Sequence, residues 1–215
     1  MSDIFREVDE EVRRSQAEAL WAKYGTLIIV ACVLLVLGVA GYRFFDWQRQ
    51  KAAAEAGAKF ENALQLFQSG KGSEGEAALV KVASEGSGIY KSLAQFRVAT
   101  ELGKRDAAAA IKQFDQLAED QTLDSLMRDV ARLRAGALAA DSQPLAEVEK
   151  RMAPLLSATN AWRHPAHEIL AASAIKANDL EKARKYLDSI ILDRDAPASI
   201  KSRAELLIGL TRGAK

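Results

Sequence analysis

The longest run of apolar positions lies near the start of the chain, from residue 24 to residue 42. It reads YGTLIIVACVLLVLGVAGY and is bounded by Lys23 and Arg43, with no charged side chain between them. A helix of this length spans about 28 Å, close to the thickness of the hydrocarbon core of a bilayer. Because the run is apolar on every helical face, it predicts a helix surrounded by lipid. The pattern therefore predicts a single transmembrane helix over residues 24–42.

Aromatic side chains flank this run on both sides. Trp21 and Tyr24 lie at its start, and Tyr42 and Trp47 lie at its end. Aromatic rings of this kind settle at the level of the lipid headgroups. The four residues are therefore predicted to mark the two edges of a membrane anchor.

Two other interpretations of the run were considered. A cleavable signal peptide begins with a short basic segment, whereas 23 residues, many of them acidic, precede this run. Gly38, Val39 and Ala40 would nevertheless serve as a small-residue cleavage site, so this alternative stays open. Cys32 follows a sequence similar to a lipoprotein box, but further uncharged residues follow it before Arg43, and it is predicted to be a small residue within the span.

Beyond the anchor, apolar residues recur at helical spacing, and no stretch alternates as a strand would. The sequence predicts an all-α fold of about nine short helices. We expect helices at 48–69, 74–85, 89–102, 107–119 and 123–140, followed by helices that begin near Pro144, Pro165, Asp179 and Pro197. The predicted organisation is an N-terminal tail (1–23), the transmembrane helix (24–42), a juxtamembrane helical stalk (43–69) and a helical repeat domain (70–215).

Internal similarity predicts how these helices are arranged. A small residue followed four positions later by a bulky one recurs at intervals of 32, 36 and 37 residues, which bracket the 34-residue period of tetratricopeptide repeats. The four pairs are Ala78 with Val82, Ala110 with Phe114, Ala146 with Lys150 and Ala183 with Leu187. The pair at Ala146 lacks its bulky partner. We expect an α-solenoid of about four degenerate helix pairs; an irregular helical bundle is the alternative.

Charge and composition narrow the class of protein. The chain has 215 residues and a net charge of +1, which favours neither a nucleic-acid binder nor a disordered chain. Its one Cys lies in the apolar run, so the soluble part is compatible with an oxidising or a reducing compartment. Four Lys and Arg residues precede the anchor and four follow it within the next twenty residues, so charge alone leaves the orientation open.

The N-terminal tail places Ile4, Val8 and Val12 at helical spacing. This pattern is typical of a marginally amphipathic helix. Such a helix would lie at the membrane surface or dock onto a cytoplasmic partner.

Candidate chemistry is sparse. His164 and His167 are the two histidines, and with no soluble Cys a metal site there would need carboxylate ligands. Pro165 places them at a helix start, where we expect them to be solvated. The sequence predicts no catalytic, cofactor or metal site and no nucleic-acid partner, and therefore an interaction protein and not an enzyme. The candidate protein-binding residues are the aromatics Tyr90, Trp162 and Tyr186, each of which is equally compatible with a place in the core.

The order of these elements resembles a known family. An acidic tail precedes an anchor that ends in Gly41–Trp47 (GYRFFDW), followed by an Ala-rich stalk and degenerate repeats that include Tyr90–Ala94 (YKSLA) and the Lys176–Leu187 unit. This arrangement resembles the ancillary Sec-translocon subunits, which are single-pass tetratricopeptide-repeat membrane proteins. The resemblance implies a bacterial inner-membrane protein with a cytoplasmic N-terminus and a periplasmic C-terminal domain. It brings no catalytic residues.

The resemblance also implies partners: Sec-translocon subunits, periplasmic chaperones and exported polypeptides, beside the lipid bilayer itself. It predicts a membrane-anchored interaction protein that takes part in the chaperoning and export of proteins. The alternative is a scaffold for envelope assembly or cell division that uses the same groove of the solenoid.

Overall fold

The protein is all-α throughout the part of the chain that the structure describes. The computed structural model describes the backbone of residues 2–212, and the side chains of residues 21–211 together with Arg14 and Glu18. Every regular element between residues 2 and 212 is a helix. The chain divides into two compact units, Met1–Glu55 and Ala56–Lys215, which are described in turn.

The first unit is formed by α1, a helix that runs over Ser2–Gln68 and continues into the second unit. Among the described residues, α1 alone carries a stretch long and apolar enough to cross a membrane, and 6% of that stretch is buried within the protein. The core helix of a soluble protein would be mostly buried. The predicted tail is also helical, but the side chains of Ile4, Val8 and Val12 lie outside the described residues.

The second unit begins with the last turns of α1, from Ala56 onward. Short connections then join successive helices, as expected for a stack of helix pairs. The helices are α2 (Gly72–Glu85), α3 (Gly88–Gly103), α4 (Ala107–Glu119), α5 (Ser125–Ser142), α6 (Leu145–Met152), α7 (Arg163–Lys176), α8 (Leu180–Ile191) and α9 (Ala198–Arg212). One turn of 3-10 helix, Ala153–Leu155, follows α6.

Aspartate side chains fix the start of three helices. Asp106 accepts a hydrogen bond from the backbone N–H of Ala109 at 2.9 Å, and Asp179 accepts one from Lys182 at 3.0 Å. Aspartate is favoured at this position because its carboxylate satisfies a backbone N–H of the first turn. Asp124 caps α5 in the same way, at 2.8 Å from the backbone N of Met127, so α5 begins two residues later than its apolar pattern predicts.

The core of the second unit consists of four apolar clusters, each shared by three or four successive helices. One joins the end of α1 with α2 and α3, and the next joins α3, α4 and α5. The third extends from α4 to α7, and the last joins α7, α8 and α9. Apolar clusters that each join only helices close together along the chain are typical of an α-solenoid, which confirms the predicted fold class.

The structure corrects the register of two of the four predicted repeats. In α2, Ala78 is only half-buried, and in α6, Ala146 is exposed. The buried positions follow a common spacing of four and then three residues in each second helix. They are Gly75, Leu79 and Val82 in α2; Ala110, Phe114 and Leu117 in α4; Val148, Met152 and Leu155 in and after α6; and Ala183, Leu187 and Ile190 in α8. The third repeat is therefore complete, with Val148 in place of a smaller residue.

Candidate protein-binding surface

A cleft of about 440 Å³ lies between the first turns of α3 and the start of α5. Helices α3 and α5 are the first helices of two neighbouring pairs. In a stack of helix pairs, the first helices together line the extended binding surface. The cleft is lined by the apolar side chains of Ile89, Leu123 and Met127 and by the charged side chains of Lys91, Asp120 and Asp124.

Three apolar side chains at or beside the cleft are exposed to solvent. Ile89, which lines the cleft, is 54% exposed, and Leu126 in the first turn of α5 is 55% exposed. Leu93 follows Ile89 by one turn of α3 and is also exposed. Apolar side chains grouped beside a concave surface are typical of protein interaction sites.

The acidic rim of the cleft is held in place by its own loop. Asp120 Oδ1 accepts hydrogen bonds from the backbone N of Thr122 at 2.8 Å and from its Oγ1 at 2.7 Å. These two hydrogen bonds lower the pKa of Asp120, so the carboxylate stays charged. Asp124 is fixed by its capping bond. The cleft therefore presents apolar side chains beside two immobilised negative charges, an arrangement suited to an extended polypeptide segment.

A second cleft, of about 320 Å³, lies among α4, α5 and α6, and ion pairs across it join the helices. Arg151 donates from Nε to Asp115 Oδ1 at 2.8 Å and from Nη2 to Oδ2 at 2.9 Å. Arg132 donates to Asp129 at 2.8 Å and to the carbonyl of Ala118 at 3.0 Å. Because these guanidinium groups are already paired with acceptors of neighbouring helices, we assign this cleft a stabilising role.

The two histidines do not lie in solvent as the sequence predicts. His164 is 4% exposed, and its Nε2 lies 2.8 Å from Asp193 Oδ2. Arg163 Nε donates to the same oxygen at 3.0 Å, so the start of α7 is tied to the turn between α8 and α9. His167 is half-buried, and its ring lies 6.0 Å from the ring of Tyr186. Tyr186 of α8 and Asp193 in the turn after α8 thus contact histidines from which they are distant in sequence.

The polar cluster of Arg163, His164 and Asp193 has a structural role. The backbone N–H of Asp195, together with His164 and Arg163, holds the pKa of Asp193 well below its usual range. His164 is buried, whereas the side chain of Asp193 is 26% exposed, and the pair joins α7 to the turn after α8. In the part of the chain described, no group of three or more His, Cys, Asp or Glu residues is placed to hold a metal ion.

Comparison with known proteins identifies the family. The model of the tetratricopeptide repeat-like domain family matches residues 18–159. The chain belongs to this family. The matched range includes the apolar stretch of α1 and the first three helix pairs, and it ends shortly before α7. The α7–α8 pair of this tetratricopeptide repeat protein has the same buried spacing and extends the repeat beyond the matched range.

One curated relative is an ancillary SecYEG translocon subunit of Haemophilus influenzae, which is 27% identical over 134 residues. The alignment covers 61% of this chain and 64% of the relative, so it spans somewhat under two thirds of the relative's length. The resemblance drawn from the sequence is thereby confirmed. No solved structure matches the chain significantly.

The three aromatic residues predicted to bind proteins are dispersed in the tetratricopeptide repeat domain, and all are half-buried. Tyr90 belongs to the first apolar cluster, with its ring 6.1 Å from that of Phe60. Trp162 and Tyr186 share the third cluster. Tyr186 donates its hydroxyl hydrogen to Glu149 at 2.8 Å, and burial together with this bond raises the pKa of Tyr186 to about 12.

None of these three aromatics is among the residues that line the α3–α5 cleft. Sequence reasoning missed Ile89 and Leu126 because it ranked candidates by aromatic character. The sequence signal for this surface was the apolar pair Ile89 and Leu93. These residues lie one helical turn apart, and α3 carries them in addition to the apolar residues that it contributes to the core.

The residues predicted to flank the membrane anchor are exposed on α1. Trp21, Tyr24, Tyr42 and Trp47 all present their rings to the surroundings of the first unit. Their position at the edges of the membrane remains a prediction.

Proposed function

We propose that this protein is anchored in the bacterial inner membrane by α1 and binds other proteins beside the protein-export channel. The observation that carries the proposal is the exposure of Ile89 at a cleft of a tetratricopeptide repeat domain that follows a membrane-length helix. Leu126, next to the cleft residue Met127 in sequence, is exposed as well. The relative from Haemophilus influenzae, named as a SecYEG translocon subunit, supports the assignment to export.

The expected partners are translocon subunits, periplasmic chaperones and emerging exported polypeptides. In this proposal the N-terminus is cytoplasmic and the repeat domain is periplasmic. Anchoring raises the effective concentration of the cleft near the channel, so even a weak binding site would be occupied by emerging chains. The protein would act by binding and not by catalysis.

The direct test is site-specific photocrosslinking in cells. A photoreactive amino acid replaces Ile89 in the cleft, and in a matched control it replaces Val80, an exposed apolar residue of α2 outside the cleft. We expect exported polypeptides or translocon subunits to be crosslinked from position 89 and not from position 80. Crosslinks only to division or envelope-assembly proteins would favour the scaffold alternative, and equal products from both positions would overturn the proposed site.

Orientation is tested separately. A C-terminal tag on the full chain is exposed to protease added outside spheroplasts. Digestion of the repeat domain supports a periplasmic location, whereas full protection places the domain in the cytoplasm and contradicts the proposal.

A further inference from the structure

Basic and aromatic side chains alternate along one face of α1 where the apolar run ends. Arg43, Trp47 and Lys51 are spaced four residues apart, and residues at this spacing share one face of a helix. Trp47 is 59% exposed, and Lys51 Nζ lies 5.7 Å from the centroid of its ring. The ring of Phe44 lies 6.2 Å from that of Trp47. We name Arg43, Trp47 and Lys51 the basic–aromatic stripe.

The positive charges at this end of the run are not neutralised by the helix itself. Arg43, Arg49 and Lys51 form no ion pair with any side chain that the structure describes, and all three are exposed. Asp46, the acidic residue among them, accepts a hydrogen bond from Gln50 at 2.8 Å. At the start of the run, Lys23 is also exposed, and its Nζ lies 5.2 Å from the centroid of the Tyr24 ring. Three exposed cations thus lie within the nine residues that follow the apolar run, whereas Lys23 directly precedes it.

The position of the stripe along the helix matches the depth of lipid headgroups. Arg43 directly follows the apolar run, and at 1.5 Å per residue Trp47 and Lys51 lie about 6 Å and about 12 Å farther along the axis. Tryptophan rings settle at the headgroup level. Cations within about 10 Å of a charged lipid surface are attracted to it.

We propose that the basic–aromatic stripe, together with Arg49, binds the phosphate groups of anionic phospholipids in the leaflet through which α1 leaves the membrane. Arg43, Arg49 and Lys51 distinguish lipids by charge, because their electrostatic attraction to a negatively charged headgroup is stronger than to a zwitterionic one. This inference rests on the membrane anchoring proposed above. It does not depend on the translocon or on any exported partner.

The first test uses the fluorescence of Trp47. In the full chain carrying Trp21→Phe and Trp162→Phe, Trp47 is the remaining tryptophan. This chain is reconstituted into phosphatidylcholine vesicles that contain the same fraction of a lipid brominated near the headgroup, either phosphatidylcholine or phosphatidylglycerol. We expect the anionic quencher to reduce the fluorescence more strongly, and added salt to diminish the difference.

The charge requirement is tested with matched triple variants. Arg43→Gln, Arg49→Gln and Lys51→Gln together should remove the preference for the anionic quencher. Lys81→Gln, Lys112→Gln and Lys185→Gln remove the same charge from exposed, unpaired lysines of the repeat domain and should leave the preference intact.

A second measurement avoids the tryptophan substitutions. The unmodified chain is extracted in mild detergent from vesicles of mixed phosphatidylcholine and phosphatidylglycerol, and the retained lipids are measured by mass spectrometry. We expect the anionic lipid to be enriched roughly fivefold at each engaged cation, since about 1 kcal/mol per cation corresponds to that factor.

The outcomes separate the two proposals. Equal quenching by both lipids, together with retained lipids at their bulk ratio, would overturn this inference and leave the anchoring intact. Absence of quenching by either lipid would place Trp47 outside the bilayer and would likewise overturn this inference. Loss of translocon crosslinks with an intact lipid preference would contradict only the proposed export function.

Discussion

Gly136 of α5 lies directly against the side chain of Met152 of α6. A Cβ atom added at Gly136 would overlap the Cε and Sδ atoms of Met152. Met152 is fully buried and belongs to the third apolar cluster. In this repeat a glycine of the first helix thus faces the second helix, whose buried Val148 takes the position at which α4 and α8 have alanine.

Gly136→Ala should destabilise the repeat domain by about 1–2 kcal/mol relative to Gly209→Ala, because both alanines favour their helices but Met152 would have to move within a filled core. For a unit of this size, each kcal/mol lowers Tm by about 2–4 °C. The measurement is thermal unfolding of the full chain in a non-ionic detergent, followed by circular dichroism. Gly209→Ala on α9 is the matched control, because a Cβ there meets no atom within 4 Å and alanine favours the helix. If both variants unfold at the same temperature, the proposed close packing is wrong.

Asp193→Ala should loosen the attachment of α7 to the turn before α9. Arg163, which is 17% exposed, and the buried His164 would both lose their acceptor. Hydrogen exchange of the full chain should show faster exchange at the start of α7 and in the α8–α9 turn. Asp195→Ala removes a carboxylate that is 84% exposed and lies 3.5 Å from Arg163, so it should have little effect.

The same aspartate gives a prediction for acid stability. Because the pKa of Asp193 is lowered in the folded protein, its stabilising effect is present above the pKa of an unfolded aspartate, about 3.9. The effect is lost as the pH falls from there toward the lower folded pKa. The decline in Tm below about pH 4 should therefore be shallower in Asp193→Asn than in the unmodified chain.

His167 should make the domain sensitive to mild acid. Burial, together with the positive charges of His164 and Arg163, lowers the pKa of His167 in the folded state. The unfolded chain therefore binds a proton more readily, and stability should fall as the pH drops below about 6.5. Thermal unfolding between pH 7.5 and 5 measures the slope, which should be smaller in His167→Gln. An unchanged slope would assign the effect to other groups.

Replacing the exposed apolar residues at and beside the cleft should weaken binding without unfolding the domain. Ile89→Asp with Leu126→Asp should reduce the partners recovered by pull-down about tenfold or more, as expected for central apolar contacts of an interface. Both side chains are more than half exposed, so Tm should stay within a few degrees of its original value. Val80→Asp with Leu192→Asp is the matched control, with the same charge added at exposed positions outside the cleft. Equal loss in both double variants would contradict the assignment of the cleft.

Much of the fold could be predicted because its determinants are local. The apolar run of α1 needs no partner to be recognised, and Asp106 and Asp179 cap helices through bonds to residues three positions away. The spacing of Ala183 and Leu187 likewise lies within one helix. Periodicity and capping contain this information directly.

The remaining features depend on residues that are distant in sequence. Met152 needs a small residue opposite it, and Gly136 on another helix is that residue. The sequence pattern relied on an alanine within the second helix, and it therefore placed the third repeat two positions too early. His164 meets Asp193 across 29 residues, and no local pattern indicates that contact. Tyrosine and tryptophan side chains serve equally in cores and on surfaces, so Tyr90, Trp162 and Tyr186 could not be ranked by type alone.

The division of the core into clusters of successive helices determines how the domain would respond to mechanical load. A pull on the C-terminal end acts first on α9, which shares its cluster with α7 and α8 alone. The clusters around α2, α3, α4 and α5 take up the load only after the outer helices have detached. The α3–α5 cleft would thus keep its shape while the C-terminal helices unfold. A polypeptide bound in the cleft would stay attached until the helices that form it unfolded as well.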